Sequence, residues 1–254
     1  ATQSYPVQLQ KLLGEHYEVE NFGKPGATLL NQGHRPYTRQ EEYRKALDFA
    51  GDIVVIHLGI NDTDPRDWPN YRDSFVTDYL NLMDTFRKVN PDVRIIIARM
   101  PPIADRHNRF LSGTRDWHGE IQTAIETVAR YAGVQLIDFH EPLYPYPSLL
   151  PDAVHPTAEG AAIMAQTVYS AITGDYGGLQ LSPLYTDNMV LQRDTPLLIH
   201  GTANVGEQVT VRIDRQQWIT KAALDGKWSV KLSPLKAGGP YTLTISTSQR
   251  ILKY

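Results

Sequence analysis

The chain has 254 residues, of which 41% are hydrophobic, and this is enough to form one large or two small packed domains. With 25 basic and 28 acidic residues, its formal charge of -3 provides no strongly basic surface, so neither nucleic acid nor an anionic membrane is an expected partner. The absence of cysteine excludes disulfides and thiolate chemistry, and no apolar run reaches the ~18 to 20 residues of a membrane span.

Short apolar runs alternate with helical stretches from about residue 5 to 174, and this alternation predicts an α/β fold with a helix-covered parallel sheet. The predicted strands are 17–22, 52–58, 93–100 and 134–139. The predicted helices are 7–13, 40–49, 70–89 and 116–131, followed by a last helix with Thr157 as N-cap and Gly174 at its end. We assign residues 1–174 to this domain.

The pattern changes after Gly174 to segments with a period of two residues at 208–213, 218–223, 228–232 and 241–245. Turn residues at 225–226 and 238–240 separate several of these segments. The pattern predicts an antiparallel β-sandwich over residues 178–254, and we expect this domain to be truncated at Tyr254.

Two positions after predicted strands are candidate donors to an oxyanion. Asn61 lies in Gly59-Ile60-Asn61-Asp62, where ligands of open α/β sheets commonly bind, and its side-chain amide can donate a hydrogen bond. Gly26 follows the first predicted strand, and its N–H can approach a substrate because no Cβ intervenes. The Asn61 segment is as typical of an ordinary turn, and the Gly26 segment taken alone favours a glycine turn. The Gly26 segment also lacks the pattern of a phosphate loop.

Asp152 and His155 lie in one loop before the last predicted helix. A short turn there can bring the carboxylate to imidazole Nδ1 and leave Nε2 facing a cleft, which is the arrangement of a general base with its orienting acid. A histidine in a surface turn is the alternative interpretation of this motif. The placement of both this motif and Asn61 at carboxyl ends of the same predicted sheet favours the catalytic one.

Other roles for nearby residues remain open. Asp138 and His140 could join Asp152 and His155 as metal ligands, but Gly26 and Asn61 would then have no role, so we expect neither a metal nor a cofactor. His57 is expected to be a hydrogen-bonded core residue. Trp68 and Tyr71 could line an acyl or sugar pocket or pack against the sheet.

These motifs, in this order, resemble the SGNH hydrolase superfamily, which includes the GDSL esterases, over residues 1–174. The resemblance implies a flavodoxin-like three-layer α/β/α fold. It also implies that Asn61 and Gly26 are oxyanion donors, His155 the general base and Asp152 the orienting acid, with no cofactor.

The first motif of that family, a Gly-Asp-Ser strand end with the nucleophile, has no counterpart in this sequence. We assign the nucleophile to none of the candidate serines. Ser4 is a predicted N-cap of the first helix. Ser112, Ser148 and Ser170 do not follow a strand that turns sharply into a helix. We therefore expect the remainder of a longer polypeptide, or another chain, to complete the sheet.

Residues 181–193, 206–211 and 225–228 are similar to the β-domain of sialate O-acetylesterase-like proteins. The two resemblances together imply a serine-dependent esterase that removes O-acetyl groups from polysaccharide or sialic acid through an acyl-enzyme. Such a substrate implies a secreted or periplasmic bacterial protein. The alternatives are a lipase or arylesterase of the same fold and a non-catalytic carbohydrate-binding or scaffolding module.

Overall fold

A computed structural model of the protein describes residues 3–104 and 114–254. It divides the chain into two units, Ala1–Val168 and Tyr169–Tyr254.

The first unit is built on a parallel sheet of three strands in the order β1-β2-β3. The strands are β1 (Ile53–Ile56), β2 (Arg94–Arg99) and β3 (Gln135–Asp138). The predicted strands 52–58, 93–100 and 134–139 are therefore confirmed, each with shorter ends. All three carboxyl ends meet at one edge of the sheet, where the candidate residues follow them.

Helices occupy the predicted stretches. They are α1 (Tyr5–Leu13), α2 (Glu41–Phe49), α3 (Trp68–Tyr71), α4 (Phe75–Val89), α5 (Thr114–Ala132) and α6 (Ala158–Thr173). The single helix predicted over 70–89 is interrupted by a 3₁₀ turn at Arg72–Ser74. Thr157 caps α6 as predicted, since its Oγ1 accepts the N–H of Gly160 at 3.2 Å. Within the described residues, no helix is long and apolar enough to cross a lipid bilayer.

Helices cover both faces of the parallel sheet because alternate strand residues point to opposite sides. On one face Ile56 and Ile97 belong to a buried cluster with Tyr79 of α4 and Ile125 of α5. On the other face the ring of Tyr5, the first residue of α1, lies 5.6 Å from the ring of Phe139. The first unit is thus an α/β fold with a core on each side of the sheet.

The strand predicted over 17–22 is wrong, because this segment forms no β-ladder in the structure. Its backbone is extended at Tyr17, but side chains take the place of a neighbouring strand. Gln10 of α1 accepts the N–H of Val19 at 2.7 Å and donates to the carbonyl of Tyr17 at 2.9 Å, and the hydroxyl of Tyr37 donates to the carbonyl of Phe22. Extended backbone with such partners has no need of a ladder.

The second unit contains two antiparallel sheets, ordered β4-β5-β8 and β10-β9-β6-β7. Their strands are β4 (Gln180–Leu181), β5 (Leu197–Thr202), β6 (Gln208–Ile213), β7 (Gln216–Lys221), β8 (Lys227–Leu232), β9 (Leu243–Ser246) and β10 (Ile251–Lys253). Inward residues of both sheets, such as Val211 and Val230, share one buried cluster. This is the packing of a β-sandwich.

Candidate active site

The loop between β3 and α6 brings Asp152 and His155 into direct contact. Asp152 Oδ1 accepts the backbone N–H groups of Val154 and His155 at 3.0 and 2.7 Å, and Oδ2 lies 2.6 Å from His155 Nδ1. Ala153 takes a left-handed φ of 72° inside this turn. The carbonyl of Ala153 accepts the N–H of Ala104, which ties the turn to the segment after β2.

These contacts fix the chemical state of the pair. The hydrogen bond from the backbone N–H of His155 is the main cause that lowers the pKa of Asp152 to about 2, and the imidazole contributes in the same direction. The ionised carboxylate can only accept, so His155 Nδ1 carries the shared proton, and in a neutral imidazole the lone pair is then on Nε2. Asp152 therefore orients His155 so that Nε2 can act as the general base that nucleophilic catalysis requires.

Gly26 lies in a tight turn after the extended segment 17–22. The N–H of Ala27 donates to the carbonyl of Lys24 at 3.1 Å, and Gly26 has a φ of 77°, a conformation that glycine adopts without steric cost. In the described part of the chain, the N–H of Gly26 has no acceptor. This group is thus available to a ligand.

Asn61 lies in a 3₁₀ turn, Ile60–Thr63, that follows β1. Its Nδ2 donates one hydrogen bond to the carbonyl of Ala27 at 2.9 Å, which leaves a second N–H on the same nitrogen. The bond also connects this turn directly to the residue after Gly26. The two predicted oxyanion donors therefore lie on segments that touch each other.

Gly26, Asn61 and His155 line one cavity of about 310 Å³. Apolar side chains form much of its remaining wall, and they are Ile60, Pro101, Ile103, Val154, Pro156 and Met164. The sequence analysis singled out none of these apolar residues, because apolar residues at the ends of elements carry no signal that separates a pocket from a core. Asp152 stands behind His155 and does not line the cavity.

No serine is among the described residues that line this cavity. Ser4 lies at the N-cap position of α1, as predicted, and Ser148 and Ser170 lie in a 3₁₀ turn and in α6. Ser112 falls outside the described residues. The assignment of the nucleophile to none of these serines stays a prediction.

His57, just after β1, also borders the cavity. Burial lowers the pKa of His57 to about 4, and its ring packs edge-on against Phe139 at 5.0 Å. The side chain as a whole is half-buried at the cavity. The predicted hydrogen bond is not found at Nε2, which has no partner among the described residues, so the prediction of a hydrogen-bonded core residue is not confirmed.

The structure supports neither the metal-ligand role considered for Asp138 and His140 nor the pocket-lining role considered for Trp68 and Tyr71. Asp138 accepts hydrogen bonds from Arg99 and from the backbone of His140, and the structure does not gather these groups with Asp152 and His155 as metal ligands. Trp68 is 3% exposed and packs against Phe75, and Tyr71 contacts the same cluster, so both belong to the core.

A separate cluster of possible metal ligands lies elsewhere in the first unit. Ligand atoms of His34, Asp64 and Asp67 lie within 4.8 Å of one another. Asp67 accepts both the backbone N–H and Nδ1 of His34, and Asp64 accepts two bonds from the guanidinium of Arg66. His34 and the two carboxylates therefore already have hydrogen-bond partners in the protein.

Comparison with known proteins adds a family to this geometry. Residues 1–163 match the model of the GDSL-like Lipase/Acylhydrolase family. The chain is 32% identical over 191 residues to an acetylxylan esterase of Xylanibacter ruminicola, a match that covers 68% of this chain and 39% of that protein. The chain thus spans much less than the full length of this curated relative.

Solved structures show the same fold. An acetyl xylan esterase superposes with a TM-score of 0.54 at 19% identity, covering 68% of this chain and 92% of that one. A carbohydrate acetylesterase family member from Sinorhizobium meliloti gives a TM-score of 0.52 at 18% identity, covering 67% and 85%. At these identities the likeness supports the α/β fold with its parallel sheet and nothing further.

Proposed function

Because the chain belongs to the GDSL-like lipase/acylhydrolase family, we propose that it is the major part of the catalytic unit of a carbohydrate esterase that removes O-acetyl groups. The observation that carries the proposal is the cavity that His155, Asn61 and Gly26 line together. The similarity to an acetylxylan esterase supports the choice of an acetylated carbohydrate.

The chemistry follows from the roles of these groups. His155 Nε2 takes the proton of a serine hydroxyl as the serine oxygen attacks the acetyl carbonyl carbon. The Gly26 N–H and the second N–H of Asn61 stabilise the resulting oxyanion. The imidazolium then protonates the departing sugar oxygen, and a water molecule releases acetate from the acyl-enzyme by the same steps. Asp152 stays ionised and stabilises the imidazolium throughout.

The size of the cavity favours a short acyl group. Its volume of about 310 Å³ lies at the low end of the range for ligand pockets. The apolar wall formed by residues such as Ile103 and Met164 suits an acetyl methyl better than a long acyl chain, which argues for an acetylesterase over a lipase.

We further propose that a strand outside residues 1–254 supplies the serine and enters beside β1. Two observations support this arrangement. The Nε2 of His57, just after β1, is buried and has no partner in the described chain. The order β1-β2-β3 also places β1 at an edge of the described sheet. Tyr5, at the start of α1, lies 6.3 Å from the His57 ring, so α1 begins beside the same region.

The finer identity of the protein is part of the same proposal. We place the second unit with the β-domains of sialate O-acetylesterase-like proteins, on the residues 181–193, 206–211 and 225–228. Acetylated polysaccharide is the preferred substrate over O-acetylated sialic acid, since the named relative is an acetylxylan esterase. A polymeric substrate of this kind implies an exported bacterial enzyme.

One observation favours a second candidate. Because the described lining of the cavity contains no serine, residues 1–254 could instead serve as a non-catalytic module that binds acetylated glycans. Binding of an acetylated xylo-oligosaccharide without release of acetate is the outcome that this candidate requires.

The test compares the full-length protein with residues 1–254 on acetylated xylan and on 4-nitrophenyl acetate. We expect the full-length protein to release acetate, a serine-directed phosphonate to abolish this activity, and His155→Ala to reduce it to background. His16→Ala, at an exposed histidine of the first unit, is the matched control and keeps the activity. An active protein that resists the phosphonate, or that tolerates His155→Ala, contradicts the proposal.

A further inference from the structure

Asp62, the residue after Asn61, is a fully buried carboxylate without a role in the chemistry above. Its Oδ2 accepts the backbone N–H of Leu29 at 2.9 Å, and its Oδ1 accepts the backbone N–H of Leu30 at 2.8 Å. The oxygens of a carboxyl group can accept backbone N–H groups whether the group is ionised or protonated. The two oxygens of one side chain therefore hold two successive peptide groups.

These peptide groups belong to the loop that carries Gly26. Asn61 binds the same loop at the carbonyl of Ala27, only two residues before Leu29. The turn after β1 thus holds the Gly26 loop at two points, through neighbouring side chains that reach different parts of it. On its other side, the loop is held by Thr28, whose N–H donates to the carbonyl of Arg35 at 2.9 Å.

The distance between the two oxyanion donors depends on this attachment. The Gly26 N–H comes from the loop, whereas the Asn61 amide comes from the 3₁₀ turn, and no β-ladder of the described chain joins these segments. Donors must lie within hydrogen-bonding distance of one developing oxyanion, and a displacement of about 1 Å can cost ~100-fold in rate.

We propose that Asp62 is a positioning residue of the esterase, which sets the separation of the Gly26 and Asn61 donors by clamping Leu29 and Leu30. The inference rests on the proposed function for its catalytic part. Its geometric part, the attachment of the loop, stands on the hydrogen bonds of residues 1–254.

Asp78 provides a matched control, because it holds the same loop farther from Gly26. Its Oδ2 accepts the backbone N–H of Asn31 at 2.8 Å, and its Oδ1 accepts the side-chain amide of Asn31 at 2.9 Å. In Asp62→Asn, one of the two backbone N–H groups of Leu29 and Leu30 faces an amide NH₂, which cannot accept its hydrogen bond. Asp78→Asn removes one acceptor oxygen from the Asn31 contacts in the same way.

The experiment measures kcat and KM of the full-length protein on 4-nitrophenyl acetate, well below the melting temperature of each variant. We expect Asp62→Asn to lower kcat by ~10- to 100-fold with little change in KM, and Asp78→Asn to leave both nearly unchanged. Equal losses in the two variants, or an unchanged kcat in Asp62→Asn, would overturn the proposal.

A second measurement does not depend on activity. Amide hydrogen exchange in residues 1–254 is followed for the peptide that contains Gly26, Leu29 and Leu30. We expect Asp62→Asn to remove the protection of this peptide against exchange, while the protection of β2 persists. Unchanged protection of the peptide would refute the role of Asp62 in holding the loop. An inactive full-length protein would refute the proposed function, and the exchange data would still decide the role of Asp62.

Discussion

The buried carboxylate of Asp62 makes the stability of the first unit depend on pH in a direction unusual for an acid. Burial is the main cause that raises the pKa of Asp62 to about 7 from its ordinary value of 3.8, and the charge of Asp67 adds to the effect. The N–H groups of Leu30 and Leu29 oppose it. Tyr79 also faces this carboxylate.

The sign of the effect follows from proton binding. Between pH 4 and 7 the folded protein holds a proton on Asp62 that the unfolded chain has released, so this contribution to stability is present at low pH and is lost as the pH rises through 7. Integrated from pH 5 to pH 8, the loss is roughly 2 to 3 kcal/mol for a single group with these pKa values.

Buried histidines act in the opposite direction and must be separated from this effect. Burial lowers the pKa of both His57 and His118 to about 4, so these groups destabilise the folded protein as the pH falls below 6.5. The pH curve of the unmodified protein is therefore a sum of opposing contributions. The difference between this protein and Asp62→Asn cancels the histidines and isolates Asp62.

The assay is urea unfolding of residues 1–254 and of Asp62→Asn at several pH values, followed by far-ultraviolet circular dichroism. The helices, which dominate this signal, all begin in the first unit. We expect the unmodified protein to lose roughly 2 to 3 kcal/mol relative to the variant between pH 5 and pH 8. A difference that stays constant over this range would refute the assignment of a buried, titrating carboxylate.

Three further predictions concern residues of the candidate active site. Asn61→Ala in the full-length protein should lower kcat by ~100- to 1000-fold through loss of an oxyanion donor, and steady-state kinetics that detect no such loss would contradict that role. Asp152→Asn should lower kcat by ~100-fold because the imidazole loses its orienting acceptor. Because the pKa of Asp152 is about 2, this group does not titrate between pH 4 and 7. Any fall in activity that the unmodified protein shows over this range should therefore also be seen in Asp152→Asn. Gly26→Ala should destabilise residues 1–254 by about 1 kcal/mol, measured by thermal unfolding, because alanine is strained at a φ of 77°. The new Cβ would also lie 3.3 Å from Nη1 of Arg35, and an unchanged melting temperature would show that the turn relaxes.

The site residues could be predicted from the sequence because each lies at a local signal that the fold brings together. Asp152 and His155 are three positions apart in one turn, so their contact requires no knowledge of the rest of the chain. Gly26 and Asn61 are far apart in sequence. The rule that loops after parallel strands meet at one edge accounts for the position of Asn61, but not for that of Gly26, because the strand predicted before it does not form. The structure brings both into the cavity of His155.

The wrong strand over 17–22 has a different origin. Its alternating pattern describes a segment able to pair, but pairing also needs an adjacent strand, and this information is absent from the segment itself. Gln10 and Tyr37 supply the hydrogen bonds in its place. Strands as short as β4 and β10 escape prediction for the related reason that two or three residues cannot establish a period.

The function of Asp62 was also beyond the sequence. In Gly59-Ile60-Asn61-Asp62 the aspartate is typical of any turn, and only the structure shows that its side chain reaches back over thirty positions to Leu29 and Leu30. The apolar wall around Met164 is similar, since a methionine on a helix looks the same from sequence whether it faces a core or a cavity.

The acid and the base of this site are encoded within four consecutive residues, and the turn that joins them is closed by the acid itself. Because its hydrogen bonds are internal, this turn keeps its geometry when the neighbouring surface changes. Divergence of the surrounding loops can therefore alter which alcohol fits the site without disturbing proton transfer, so that new specificities are open to this scaffold at little risk to its chemistry.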